Sequence, residues 1–121
     1  MRNIIFRGKR LDNGEWLYGS LLISHFKDDK KERYFITQFS GNYTFEHEVA
    51  PATVGQFTGL KDKNGKEIWE GDILSDGAFT YEVRYKGTGF VTILDGYVYT
   101  MDTRPTKIVI GNIHDNPDLL K

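Results

Sequence analysis

Apolar and polar residues alternate with a period of two along most of the chain. Residues 79–85 give the clearest run, since Phe79, Tyr81, Val83 and Tyr85 fall on one face of a strand and polar residues fall on the other. Residues 43–49 repeat the pattern. Side chains alternate across a β-strand, whereas an amphipathic helix repeats every 3.6 residues. The pattern therefore predicts strands, and no window of a dozen residues shows a helical stripe.

Glycine-containing turn signals separate these short strands. Gly14 and Gly65 each follow an asparagine, and both are predicted to supply turn conformations. Gly71 is predicted to bend a strand that runs through residues 68–74, with the Asp72 carboxylate capping backbone N–H groups at the bend. Gly111 follows a β-branched run, which predicts a bulge or a close approach of backbone. These five residues are predicted to be structural.

Short strands with short connections favour antiparallel pairing. The predicted fold class is all-β, mainly antiparallel. Residues 1–50 are predicted to form a small N-terminal β-hairpin subdomain, and residues 51–121 a small C-terminal barrel of SH3-like or OB-like form. The boundary near Pro51 is a soft one, and a single domain is the alternative.

Three groups of motifs occur in order along the chain. They are FRGKR and NGEWLYG (residues 6–10 and 13–19), VGQFTGL, DKNGKEI and EGDI (54–60, 62–68 and 70–73), and VIGNIH with NP (109–114 and 116–117). Together they resemble the YopX family. The resemblance covers nearly the whole chain, but residues 27–50 and 75–107 carry no matching signature. It implies a β-rich fold and a home in a bacteriophage or an integrated prophage of a Gram-positive host, and it implies no activity and no cofactor.

Composition narrows the classes of function. The 121 residues include 16 basic and 17 acidic ones, and the net charge of −1 gives no bulk attraction to nucleic acid or anionic lipid. The absence of cysteine excludes disulfides and thiolate metal sites. No apolar run is long enough to span a bilayer, and the first residues lack the pattern of a signal peptide. The expected location is the bacterial cytoplasm.

Candidate catalytic chemistry is sparse. The sequence has no phosphate-binding loop, no zinc-protease motif and no nucleophile elbow. Its three histidines, His25, His47 and His114, lack the spacing of metal ligands, so neither a metal nor another cofactor is expected. Glu70 and Asp72 could form a carboxylate pair for acid–base chemistry. The alternative for these two residues is a solvated edge and a turn cap.

A possible interaction surface comprises Arg7, Lys9, Trp16 and Tyr18. Basic residues beside exposed aromatic ones suit single-stranded nucleic acid, through phosphate contacts and base stacking. The same residue types are frequent hot spots of protein interfaces. A third reading buries both aromatic rings in the junction between the subdomains.

The predicted function is that of a non-enzymatic binding module that acts through protein–protein contacts and forms a homo-oligomer. Exposed strand edges must be paired, blunted or covered, and self-pairing is one solution. A nucleic-acid-binding barrel in phage replication or host regulation is one alternative. An enzyme with carboxylate chemistry at Glu70 and Asp72 is the other. No particular protein partner is indicated by the sequence, and no membrane association is expected.

Overall fold

The computed structural model describes residues 4–28, 30–87, 89–101 and 105–120. The chain forms two compact units, residues 1–56 and residues 57–121. All strand pairs of the described residues are antiparallel, and the only helices among these residues are two short 3-10 helices. The predicted all-β, antiparallel fold class is thus confirmed. The soft boundary near Pro51 and the barrel form of residues 51–121 stay predictions.

The first unit is a run of antiparallel hairpins. Its strands pair in the order β4-β3-β2-β1, and the first residues of β5 pair with β1. The β1–β2 turn contains Gly14, which has a φ of 73°. The elements are β1 (Phe6–Lys9), β2 (Trp16–His25), β3 (Glu32–Ser40), β4 (Tyr43–Val49), a 3-10 helix (Pro51–Thr53) and the start of β5 (Gly55–Lys61).

The core of the first unit lies around Ile36 and Val49, both of which are fully buried. Gly8 of β1 faces Val49 so closely that an added Cβ would lie 2.9 Å from its Cγ2. The end of β4 meets the end of β1, where Arg10 forms an isolated bridge with Val49 and the Ala50 N–H donates to the Lys9 carbonyl. This end of β4 is therefore held by β1.

The second unit contains the remainder of β5 and six further strands. β6 pairs with β5, and the other strands form a five-stranded sheet in the order β10-β9-β8-β7-β11. The turn between β5 and β6 contains Gly65, which has a φ of 83°. The elements are β6 (Glu67–Trp69), β7 (Asp72–Ser75), β8 (Thr80–Lys86), β9 (Gly89–Leu94), β10 (Tyr97–Thr100), β11 (Ile108–Asn112) and a 3-10 helix (Pro117–Leu120).

Gly71 divides what the sequence predicts as one bent strand into two strands, β6 and β7. Its φ of 92° is accessible to glycine at little cost, and its N–H donates to the carbonyl of Val83. The Asp72 carboxylate accepts a hydrogen bond of 2.8 Å from the Trp69 N–H across this turn. The chain therefore changes partner strands here, from β5 to β8 and β11.

The core of the second unit is formed by one face of the five-stranded sheet together with β6. Its buried members come from β6, β7 and β8, and partly buried residues of β5, β9 and β11 pack against them. Burial of each large side chain contributes roughly 1.5–3 kcal/mol. The buried residues are Ile68, Leu74, Tyr81 and Val83.

The C-terminal turn lies against Gly111 of β11. A Cβ at this position would lie 2.5 Å from the Asn116 Oδ1 and 3.0 Å from the Leu119 Cδ1. The β7–β11 register also shifts between Val109 and Gly111. Gly111 thus allows the last turn of the described chain to pack directly on the strand.

The β7–β8 turn is organised by Asp76. Its carboxylate accepts hydrogen bonds from the Phe79 N–H, the Tyr81 hydroxyl and the Ala78 N–H, at 2.8, 2.7 and 2.9 Å. These donors, of which the Phe79 N–H contributes most, lower the pKa of Asp76 to about 2. A carboxyl group with a lowered pKa stabilises the fold above its unfolded-state pKa and loses that effect as the pH falls through the folded value.

We therefore expect Asp76→Asn to lower the stability at neutral pH, and the difference from the unsubstituted protein to disappear between about pH 4 and pH 2. The asparagine oxygen can still accept the two backbone hydrogen bonds, and its amide N–H can donate to the Tyr81 hydroxyl oxygen instead of accepting from it, so the variant removes the negative charge and leaves each group a partner. Urea unfolding midpoints measured from pH 7 down to pH 2 test this. If the midpoints of the variant and the unsubstituted protein differ by the same amount from pH 7 to pH 2, the lowered pKa of Asp76 would be contradicted.

Candidate interaction surface

The structure places all four residues of the predicted interaction surface on one face of the β1–β2 hairpin. The Arg7 guanidinium lies 4.6 Å from the centre of the Trp16 ring, and the Lys9 ammonium lies 5.5 Å from it. Strand pairing sets this geometry, because Lys9 lies opposite Trp16 and Arg7 opposite Tyr18. Cations over an indole face are attracted by its quadrupole, by about 0.5–1 kcal/mol at exposed sites.

Burial assigns these residues unequal roles. Arg7 is only 6% exposed and Trp16 is partly buried, whereas Tyr18 is 47% exposed. The Arg7 side chain is therefore buried against the Trp16 ring. A phosphate group could reach the Lys9 ammonium more readily than the Arg7 guanidinium. The predicted interaction surface stays a prediction, with Tyr18 as its most accessible aromatic side chain.

The two carboxylates of the predicted acid–base pair flank the Gly71 turn. Asp72 is 2% exposed and accepts the Trp69 N–H, which makes it a turn cap. Glu70 is partly buried. The described geometry gives Asp72 a structural role, as the sequence predicts, and acid–base catalysis by the pair stays an untested alternative.

The histidines are distributed over distant elements of the described chain. His25 ends β2, His47 lies in β4 and His114 lies in the turn that follows β11. Across residues 4–28, 30–87, 89–101 and 105–120, no three histidine or acidic side chains form a group that could hold a metal ion. Nor does that part of the chain include a helix long and apolar enough to cross a membrane.

A buried carboxylate that the sequence does not single out connects the β5–β6 turn to β11. Asp62 is 4% exposed, and its two oxygens accept hydrogen bonds of 2.8 Å each from the N–H groups of Asn64, Lys66 and Val109. Burial opposes ionisation of this carboxyl group, but the three donors outweigh it and hold its pKa below the ordinary value. Asp62 is thus the main polar link between these segments.

The outer edge of the five-stranded sheet is formed by β10, whose four residues are all exposed. Tyr97 is 70% exposed, while Val98 and Tyr99 are each 48% exposed. The turn before β10 consists of Asp95 and Gly96, both with positive φ, as in the type I′ turns that match the twist of hairpins. The β9–β10 hairpin therefore has regular turn geometry, and its edge strand exposes an apolar or aromatic side chain on each face.

The first unit carries a second exposed apolar area. Phe39, Tyr43 and Phe45 of β3 and β4 are 70%, 73% and 49% exposed. An open cleft of about 650 Å³ lies beside them, lined also by Ile4 and Tyr18. Exposed apolar groups at this density often indicate contacts with other proteins.

These features define a class of protein: an all-β, two-unit protein with an exposed, uncharged edge strand, β10, in its second unit. The family model described as "YopX protein" matches residues 5–121. The chain belongs to the YopX family. The resemblance read from the sequence is thereby confirmed.

A solved structure has a similar fold over its whole length. It is the crystal structure of protein EF1440 from Enterococcus faecalis, with 26% sequence identity and a TM-score of 0.59, and the alignment covers 100% of both chains. No curated protein matched this chain in sequence.

Proposed function

We propose that this YopX-family chain is a non-enzymatic binding module that acts through protein–protein contacts and associates with itself. The observation that carries the proposal is the apolar edge strand β10, with every residue exposed. An unprotected strand edge offers unpaired backbone groups to another strand, and natural proteins blunt such edges unless they use them.

The chemical groups of the second unit support a binding role over catalysis. Asp62, Asp72 and Asp76 are the acceptors for backbone N–H groups at three turns. The N–H donors lower the pKa of Asp62 and of Asp76, and carboxyl groups with a lowered pKa are poor proton acceptors. These three carboxylates thus stabilise turns, whereas the apolar edge strand β10 is exposed and could bind another strand.

Family membership supports a phage or prophage origin of this binding module. The YopX resemblance implies a gene carried by a bacteriophage or a prophage, and a similar structure comes from a bacterium, Enterococcus faecalis. We place the module in the cytoplasm of a bacterial host cell, where it would act during the phage cycle.

We expect the purified chain to associate reversibly as its concentration rises from low to high micromolar. Backbone hydrogen bonds and apolar contacts along an edge drive such association, and the net charge of −1 opposes it little. Sedimentation velocity across this range tests the expectation. A single monomer boundary at every concentration would contradict self-association.

A further inference from the structure

One face of β10 carries two tyrosines, and the other carries a valine and a threonine. Tyr97 and Tyr99 lie on the face that also carries Leu94 and Thr92 of β9, because these residues are directly paired. Val98 and Thr100 lie on the other face. The strand carries no charge, no proline and no glycine, so its length of only four residues is the one common protection of an edge that its own sequence provides.

We propose that β10 pairs antiparallel with β10 of a second copy of this chain, about a two-fold axis at Val98. The proposal rests on the self-association proposed above and names the edge and the register. Each copy contributes its five-stranded sheet, so that pairing produces one continuous sheet of ten strands.

Symmetry restricts the possible registers. A two-fold axis perpendicular to a sheet leaves every side chain on its own face, and residues directly opposite each other share a face. Each residue must therefore lie opposite itself or a residue an even number of positions away. With Val98 opposite Val98 of the partner subunit, Tyr97 lies opposite Tyr99 of the partner subunit, and the reverse pair forms as well.

This register produces two cross-strand tyrosine pairs. Aromatic pairs between strands contribute roughly 0.2–1 kcal/mol each beyond an alanine pair. The ring of Tyr99 is already positioned, because it packs edge-on against Tyr81 with 6.2 Å between ring centres, and the Tyr81 hydroxyl is held by Asp76. Little side-chain entropy remains to be lost at Tyr99 when a second copy binds.

The opposite edge of the same sheet is closed by the chain itself. On β11, the Val109 N–H donates to Asp62, and the carbonyl of Lys107 just before the strand accepts the Lys63 N–H. Addition of one copy's β10 to another copy's β11 would require these bonds to break. Pairing therefore closes at two copies instead of propagating into a filament.

The edge strand of the first unit is less suited to self-pairing. β4 carries Glu46 and Glu48 on one face, and antiparallel pairing about Glu46 or about His47 would place like charges opposite each other, whereas pairing about Phe45 would not and is tested by the control below. The end of β4 is also occupied by β1, since the Leu11 N–H donates to the Glu48 carbonyl. A charged and partly covered strand is a protected edge.

Cysteine cross-linking tests both the edge and the register, because the chain has no cysteine of its own. Opposed Cα atoms in antiparallel strands lie about 4.5–5.5 Å apart, within the range of a disulfide. We expect Val98→Cys to form a disulfide-linked dimer readily under mild oxidation. Tyr97→Cys and Tyr99→Cys should each cross-link poorly alone, since identical positions lie roughly 8 Å apart, but should cross-link when mixed.

Phe45→Cys, at the middle of the rival edge β4, is the matched control and should remain monomeric in the same assay. Cross-linking at Phe45→Cys but not at Val98→Cys would overturn the choice of edge. Cross-linking of Val98→Cys together with efficient cross-linking of Tyr97→Cys alone would overturn the register. Association of the unsubstituted chain in sedimentation, without cross-linking at Val98→Cys, would overturn this inference and leave the proposed function standing.

Discussion

Replacement of Asp62 by alanine is expected to lower the free energy of unfolding of the second unit by about 3 kcal/mol. The substitution removes three hydrogen bonds at once, from the N–H groups of Asn64, Lys66 and Val109. Leaving a buried donor without an acceptor costs about 1–3 kcal/mol, and the turn donors can regain water more easily than Val109. Urea unfolding followed by circular dichroism measures the loss.

Asp62→Asn distinguishes the contributions of the two carboxylate oxygens. One oxygen accepts from Asn64 and Lys66, and the other from Val109, so the amide can satisfy only one of these groups. We expect roughly half of the alanine effect, with faster hydrogen exchange at one of the two sites. A loss below about 1 kcal/mol for Asp62→Ala would contradict the role of Asp62 as the link between the β5–β6 turn and β11.

Replacement of Gly19 by alanine is expected to destabilise the first unit by about 3 kcal/mol. A Cβ at this position would lie only 2.3 Å from the Thr37 carbonyl oxygen, which is a backbone atom and cannot rotate away. Gly19 is also where β2 changes partner, pairing with β1 at Phe6 and with β3 from Ser20 onward. Relief of the clash would therefore separate β2 from β3. Thermal unfolding monitored by circular dichroism tests the expectation.

Gly89→Ala is the matched control for this substitution. Gly89 lies at the start of β9, where an added Cβ would meet nothing within 4 Å. The same chemical change should be neutral there or slightly stabilising, by up to about 1 kcal/mol, because alanine restricts the unfolded chain. Equal losses of stability for Gly19→Ala and Gly89→Ala would show that the clash with the Thr37 carbonyl oxygen does not cause the destabilisation.

The alternation of apolar and polar residues along the chain was enough to predict most strands. Two-residue alternation predicts strands over residues 43–49 and 79–85, and the structure has β4 and β8 there, at Tyr43–Val49 and Thr80–Lys86. The break at Gly71 was harder to predict, because a bend and a change of partner strand look alike along the chain. The different partners of β6 and β7, together with the hydrogen bond from the Gly71 N–H to the Val83 carbonyl, separate the two possibilities.

Long-range arrangement could not be predicted from the same pattern. Asp62 lies close to the predicted turn at Gly65, but its bond to Val109 joins residues 47 positions apart. Arginine is mostly exposed in proteins, so the burial of Arg7 beneath Trp16 had no signal in composition. The edge position of β10 likewise depends on strand order, although its uncharged Tyr-Val-Tyr-Thr sequence was a usable hint.

A charge-reversal pair at Val98 tests the β10 interface with little risk to the fold, since this side chain is 48% exposed. Val98→Lys and Val98→Glu each place like charges opposite each other at the two-fold axis, and each should weaken association at least about tenfold. Sedimentation velocity of the two variants, separately and in an equal mixture, is the measurement. Pairing at β10 predicts two monomers that form a dimer on mixing, whereas unchanged association of either variant alone would contradict it.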